Sequence, residues 1–121
     1  MKQVIDIDDI PPNLNVTINT AKRHWGAYYG IKKKWGKMIA DYAKLSNMQP
    51  MQTPVKVSIQ NTYPNKRRRD PDNIILKFIL DGLVEAGVIS DDSFEEIEEI
   101  TILKPIVEKG VKKTVITIEE K

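Results

Sequence analysis

The sequence predicts a single α+β domain over residues 1–121, in the order β-α-β-α-β-β, with two main helices on a mixed or antiparallel sheet. Three observations predict it. The length suits one domain. Apolar residues switch between spacings of two and spacings of three to four along the chain. The prolines stand between those stretches rather than inside them.

Residues 2–8 alternate weakly and read as an opening strand, and Ile10-Pro11-Pro12-Asn13 then forces an extended turn. Residues 16–30 carry no clear period, and Gly26 and Gly30 argue against a long continuous helix there. Ile31, Trp35, Met38, Ile39, Tyr42 and Leu45 recur at spacings of three and four, which predicts an amphipathic helix with Trp35 in the core. Pro50 and Pro54 close it. Val55, Val57 and Ile59 alternate with Lys56, Ser58 and Gln60, as in a half-buried strand. Tyr63 to Asp72 is a polar, basic loop. Asn73 to Ala86 reads as a largely buried helix, with Gly87 as its C-terminal glycine. Strands near Glu96–Lys104 and Val111–Glu119 follow, and Lys109-Gly110 between them suggests a hairpin. Most of the run Glu95, Glu96, Glu98 and Glu99 is read as the solvated side of a strand.

Cysteine is absent, which excludes disulfides, zinc–thiolate sites and a thiol nucleophile, and suits a reducing cytoplasm. The N-terminal stretch, residues 1–12, is interrupted by acids and prolines and reads as neither a signal peptide nor a membrane span. Net charge is only +2, yet residues 1–80 hold 14 Lys/Arg against 6 Asp/Glu, while residues 81–121 hold 5 against 11. Such polarity suggests a face that binds a polyanion; mutual pairing of the two regions is the alternative.

The informative block is Lys66-Arg67-Arg68-Arg69-Asp70-Pro71-Asp72-Asn73, four cations running into two carboxylates one residue apart. In an extended loop, alternate side chains share a side, so Asp70 and Asp72 can converge. A divalent cation relieves their repulsion, and oxygen-only ligands favour Mg²⁺ or Mn²⁺. Asp72 equally suits a helix N-cap, and Asp70-Pro71 a simple turn. Asn73, Lys77 and Asp81 follow at steps of four, one helical stripe. Lys77 and Asp81 are either a solvent-facing pair, or Lys77 stands near the metal to meet phosphate or supply a proton. Asp91-Asp92 adds carboxylates at a later loop, or is only turn composition. A second basic cluster comprises Lys22, Arg23, His24, Lys32, Lys33, Lys34 and Lys37, interleaved with Trp25, Tyr28, Tyr29 and Trp35. Cations there would neutralise phosphates and exposed rings would stack on bases; buried rings and solvated lysines are the alternative. His24 is the one histidine, so no histidine metal site is expected.

Arg67-Arg68-Arg69-Asp70-Pro71-Asp72-Asn73, Lys77, Asp81-Gly82-Leu83, Ala86-Gly87-Val88 and Asp91-Asp92, in this order, resemble the RusA family of Holliday-junction resolvases. Pro11-Pro12-Asn13-Leu14-Asn15, His24-Trp25 and Trp35 extend the likeness more loosely. The resemblance implies a homodimeric, Mg²⁺-dependent endonuclease that cuts four-way DNA junctions symmetrically, without an organic cofactor. It implies that Asp70 and Asp72 are metal ligands, that Asp91 or, more closely matched, Asp92 is the third acid, and that Lys77 is the essential lysine. It also places Lys66, Arg67, Arg68 and Arg69 on DNA. Ile74-Ile75-Leu76 separates Asn73 from Lys77, where the best-known members have two residues. One extra residue turns a helix by about 100°, so either the first turn is irregular or the lysine has a different role. The longer spacing resembles phage-encoded relatives and suggests a prophage origin.

The expected chemistry is hydrolysis of phosphodiesters assisted by one or two Mg²⁺ ions. A non-catalytic DNA-binding protein, or a nuclease for flaps, RNA or other branched structures, are the rival readings.

Overall fold

The computed structural model describes residues 1–121. The strands are β1 (Lys2–Ile7), β2 (Val55–Tyr63), β3 (Ile97–Ile102), β4 (Ile106–Val107) and β5 (Lys113–Glu120). The helices are α1 (Leu14–Arg23), α2 (Trp25–Leu45) and α3 (Leu76–Glu85), with a short 3-10 turn at Pro71–Asn73. The sheet is mixed, in the order β1-β5-β2-β3, and β4 extends the β3 side of β2. β5 is antiparallel to both β1 and β2, whereas β3 and β4 run parallel to β2.

Strand alternation puts Ile5, Ile7, Val55, Val57, Ile59, Ile116 and Ile118 on one face, all buried. Trp35, Ile39 and Ala43 of α2 and Phe78, Ile79 and Leu83 of α3 complete the same core. Each fully buried large side chain contributes roughly 1.5–3 kcal/mol by leaving water. None of the three helices is long and apolar enough to cross a membrane.

α2 and α3 cross at Gly82. A Cβ added there would lie 2.7 Å from Ile39 Cβ and Cδ1. Gly82→Ala is expected to destabilise the fold by roughly 1–3 kcal/mol, because the fully buried Ile39 must move. A urea midpoint equal to that of the parent would show that the crossing has slack.

Three expectations are corrected. α2 begins at Trp25, not near Ile31, and passes through Gly26 and Gly30 without a break. Each glycine costs about 1 kcal/mol against alanine; the cap at His24 and the packing of Tyr28 and Ile31 against the core offset that. α1 forms where the sequence shows no period. Thr17 is its one buried residue, and Asn13 Oδ1 caps it by accepting from the Val16 N–H at 2.9 Å. Finally, β3 and β5 form no hairpin, because β2 lies between them. α3 serves as the crossover that returns the chain parallel to β2. The Lys109-Gly110 turn, with Gly110 at φ +78°, then carries the chain to the opposite side of β2.

Candidate active site

The basic block leaves β2 at Tyr63 and folds back on itself. The Arg69 guanidinium lies 3.8 Å from the Tyr63 ring centroid. It donates to the Asn65 carbonyl and to Asn65 Oδ1, both at 2.9 Å. Arg69 is therefore engaged inside the loop, while Lys66, Arg67 and Arg68 stay exposed. Grooves of about 500 and 520 Å³ flank the block. Pro11, Pro12 and Asn13 line the first, opposite Arg67, Arg68 and Asp70. The Asn15 N–H donates to Asn73 Oδ1 at 3.3 Å, which ties the start of α1 to the acidic turn.

Asp70 enters that turn with its Oδ1 3.4 Å from Arg68 Nε, a well-solvated pair worth little. Asp72 lies inside the 3-10 turn and is exposed; it makes no ion pair and caps nothing. The predicted helix start at Asn73 is corrected: Ile74 (φ −83°, ψ 127°) and Ile75 (φ −89°, ψ 108°) are extended, and α3 begins at Leu76. The residue before Lys77 that looked inserted is thus absorbed by an irregular segment. Helical phase does not relate Asn73 to Lys77, so the stripe of three reduces to Lys77 and Asp81.

Those two meet within α3. Lys77 Nζ lies 3.0 Å from Asp81 Oδ1 and 3.7 Å from Asp92 Oδ2. The Asp81 hydrogen bond, then its charge, hold the Lys77 ammonium above the ordinary lysine range, and Asp92 adds to the effect. Any stability from these contacts is fully present below the unfolded lysine value of 10.5 and disappears as pH rises through the higher folded value. At neutral pH Lys77 is a cation, not a base.

Asp92 reaches Lys77 because of how α3 ends. The Gly87 N–H donates to the Val84 carbonyl at 3.0 Å and the Val88 N–H to the Leu83 carbonyl at 3.1 Å, with Gly87 at φ +75°. This Schellman turn reverses the chain. Val88 and Ile89 are then buried, and the Val88 carbonyl accepts from the Met51 N–H at 2.8 Å. Asp91 is exposed, and its Oδ1 accepts from the Asp92 N–H at 2.8 Å.

Asp81 has a second neighbour that sequence spacing does not reveal. Lys32 Nζ of α2 stands 3.6 Å from Asp81 Oδ2, a buried oxygen that accepts no hydrogen bond. The structure thus gathers Lys32, Lys77, Asp81 and Asp92. Asp70 and Asp72 stand on the turn before α3. No three acidic side chains are close enough together to enclose an ion. The donor chemistry is nonetheless that of hard cations, since every candidate is a carboxylate, and Mg²⁺ commonly takes one or two carboxylates and keeps its waters.

Of the second basic cluster, Lys22 and Arg23 end α1, and Lys33, Lys34 and Lys37 are exposed on α2. Trp35 is buried, as its spacing predicts.

Residues 11–119 match the family model described as Endodeoxyribonuclease RusA. A relative from Enterobacteria phage HK97, named a crossover junction endodeoxyribonuclease rusA, is 31% identical over 104 residues, covering 83% of this chain and 81% of its own. The matched model spans every candidate residue from Lys22 to Asp92.

Proposed function

The chain belongs to the RusA family of endodeoxyribonucleases, and from that premise we propose that it resolves four-way DNA junctions by paired, symmetric, Mg²⁺-dependent hydrolysis. Such cuts serve DNA recombination and repair. The observation that carries the reading is the Lys77 ammonium in contact with both Asp81 and Asp92, on the first turn of the helix that follows the Asp70–Asp72 turn.

Asp70 and Asp72, with one or both of Asp91 and Asp92, would hold the ion, and since no three of these side chains enclose it, water would fill much of its coordination. A bound Mg²⁺ would supply positive charge at the scissile phosphate and lower the pKa of a coordinated water. Lys77 presents a permanent cation to the phosphate oxygens, where charge builds during hydrolysis. Asp81 positions that cation through their 3.0 Å contact. Lys66, Arg67 and Arg68 neutralise neighbouring phosphates and place the strand. A two-fold homodimer presents two such sites to symmetric strands, as paired nicks require.

The test is an end-labelled four-way junction, in competition with a flap and a plain duplex, in Mg²⁺ and in EDTA. Symmetric nicks in the junction, lost in EDTA, are the expected result. Cutting unchanged in EDTA would remove the metal. Preferred cutting of the flap would keep the site and change the substrate. Tight binding with no nicks in Mg²⁺ or Mn²⁺ would make the chain a non-catalytic binder.

Asp81→Asn provides a sharper check on positioning. It is expected to slow single-turnover cleavage by about tenfold, leave junction affinity within about twofold, and bring the alkaline limb of the pH profile down towards the ordinary lysine value. Equal losses in rate and affinity would instead make Asp81 a binding determinant.

A further inference from the structure

We propose that the corner between α1 and α2 is a stacking platform for an unpaired DNA base, with the Trp25 indole as its contact surface. The inference takes its ligand class from the proposed function but needs no cleavage.

Trp25 opens α2 with 67% of its surface exposed. The ring is nevertheless held in place. It stacks on Tyr28 at 5.1 Å between centroids with the planes 27° apart. Tyr28 in turn packs on Phe78 of α3 at 6.1 Å, and Phe78 is fully buried beside Lys77 in sequence. The corner itself is built. The His24 N–H donates to the Thr20 carbonyl and ends α1, while His24 Nδ1 accepts from the Ala27 N–H at 3.1 Å and begins α2. Gly26 admits the folded-back imidazole, since a Cβ there would lie 3.0 Å from His24 Cε1.

Trp25, Tyr28, Tyr29 and Lys32 form one helical stripe. Tyr29 is 59% exposed, with Lys32 Nζ 5.9 Å from its ring centroid. Lys32 then reaches Asp81 at 3.6 Å. The stripe thus leads from an open indole to the cluster of Asp81, Lys77 and Asp92. From Trp25 to Lys32 the helix rises about 10 Å, roughly three steps of stacked DNA.

Charge selects the ligand. Lys22 and Arg23 end α1 at the corner, Lys33 follows two turns along α2, and all three are exposed. Phe94 is more exposed, at 96%, but it has no ring partner and stands beside Glu95 and Glu96, which repel a phosphate backbone. A ring among cations suits a nucleobase; a ring among carboxylates does not. Duplex bases are shielded by their own stack, so the platform engages bases at a branch or a single-stranded end.

The test is binding in EDTA of a four-way junction and of a duplex of equal length, by anisotropy and by tryptophan emission. Trp35 is buried, so its emission reports the core, and the solvent-exposed Trp25 supplies the red-edge signal. The junction is expected to quench that red edge, and the quench should be missing in Trp25→Phe. Trp25→Ala and Trp25→Leu should weaken junction binding by about 5- to 100-fold, with Trp25→Phe within about threefold of the parent and duplex affinity unchanged throughout. Unchanged Trp35 emission and urea midpoint show that these variants are folded. Junction affinity unaffected by Trp25→Ala would overturn the platform, as would equal losses on duplex and junction, or loss of the quench in Phe94→Ala. A parent that binds in this way but never cuts would overturn the proposed function and leave the platform standing. A parent that cuts while Trp25→Ala binds normally would do the reverse.

Discussion

Asp72→Asn is expected to lower junction cleavage by about 10³-fold while junction affinity in EDTA stays within about twofold. The expectation is clean because Asp72 has no visible structural duty. It is exposed in the 3-10 turn, makes no ion pair, and caps neither that turn nor α3. A surface substitution free of such contacts shifts stability by no more than about 0.5 kcal/mol. Removing one negative oxygen therefore tests chemistry alone. Asp70→Asn is a less direct probe, because it also releases Arg68 from its 3.4 Å contact. Cleavage by Asp72→Asn at the parental rate, with the variant folded, would refute the acidic turn as the metal site.

Lys77→Ala is expected to reduce the single-turnover rate by about 10²- to 10³-fold, the range for losing one preorganised charged donor. Lys77→Arg should recover part of the rate, since the charge survives in a different shape. Unlike Asp72, Lys77 also has local partners. Its loss leaves Asp81 Oδ1 without its 3.0 Å contact and leaves Asp92 unpaired. Because Lys77 is more than half exposed, the accompanying stability loss should be small, about 0.5 kcal/mol. The two effects separate in a pH profile. The held ammonium stays protonated through the ordinary lysine range, so the parental rate should not fall from this group until above pH 10.5. A Lys77→Ala rate equal to the parent's would reduce the Lys77–Asp81 contact to a surface pair.

The two expectations rest on different kinds of legibility. Asp72 lies in a pattern, two carboxylates one residue apart beside four cations, that suits a metal site and a cap or turn alike, and the family resemblance is what favours the metal. Lys77 stood out through spacing, and the spacing was misleading in one respect. The sequence cannot show that Ile74 and Ile75 are extended, because both suit a helix or a strand equally well. Ile75 is buried in the core shared by sheet and helices, a tertiary placement that local preference does not encode. Lys32 beside Asp81 was illegible for a similar reason. The contact joins α2 to α3 across a crossing set by Gly82 against Ile39, and no local pattern encodes that approach.

What the sequence by itself determined was local. The period-two runs set β1, β2 and β5, the three-and-four spacing set the core face of α2 around Trp35 and Ile39, and Gly87 set the end of α3. These depend on side-chain alternation, helical pitch and backbone sterics, which act over a few residues. Only the tertiary structure decided the rest. It placed β2 between β3 and β5, extended α2 back through two glycines to His24, engaged Arg69 on Tyr63 and Asn65, and brought Asp92 to Lys77. Each of these depends on which distant surfaces are buried together, and burial is a property of the whole fold rather than of any short stretch of it.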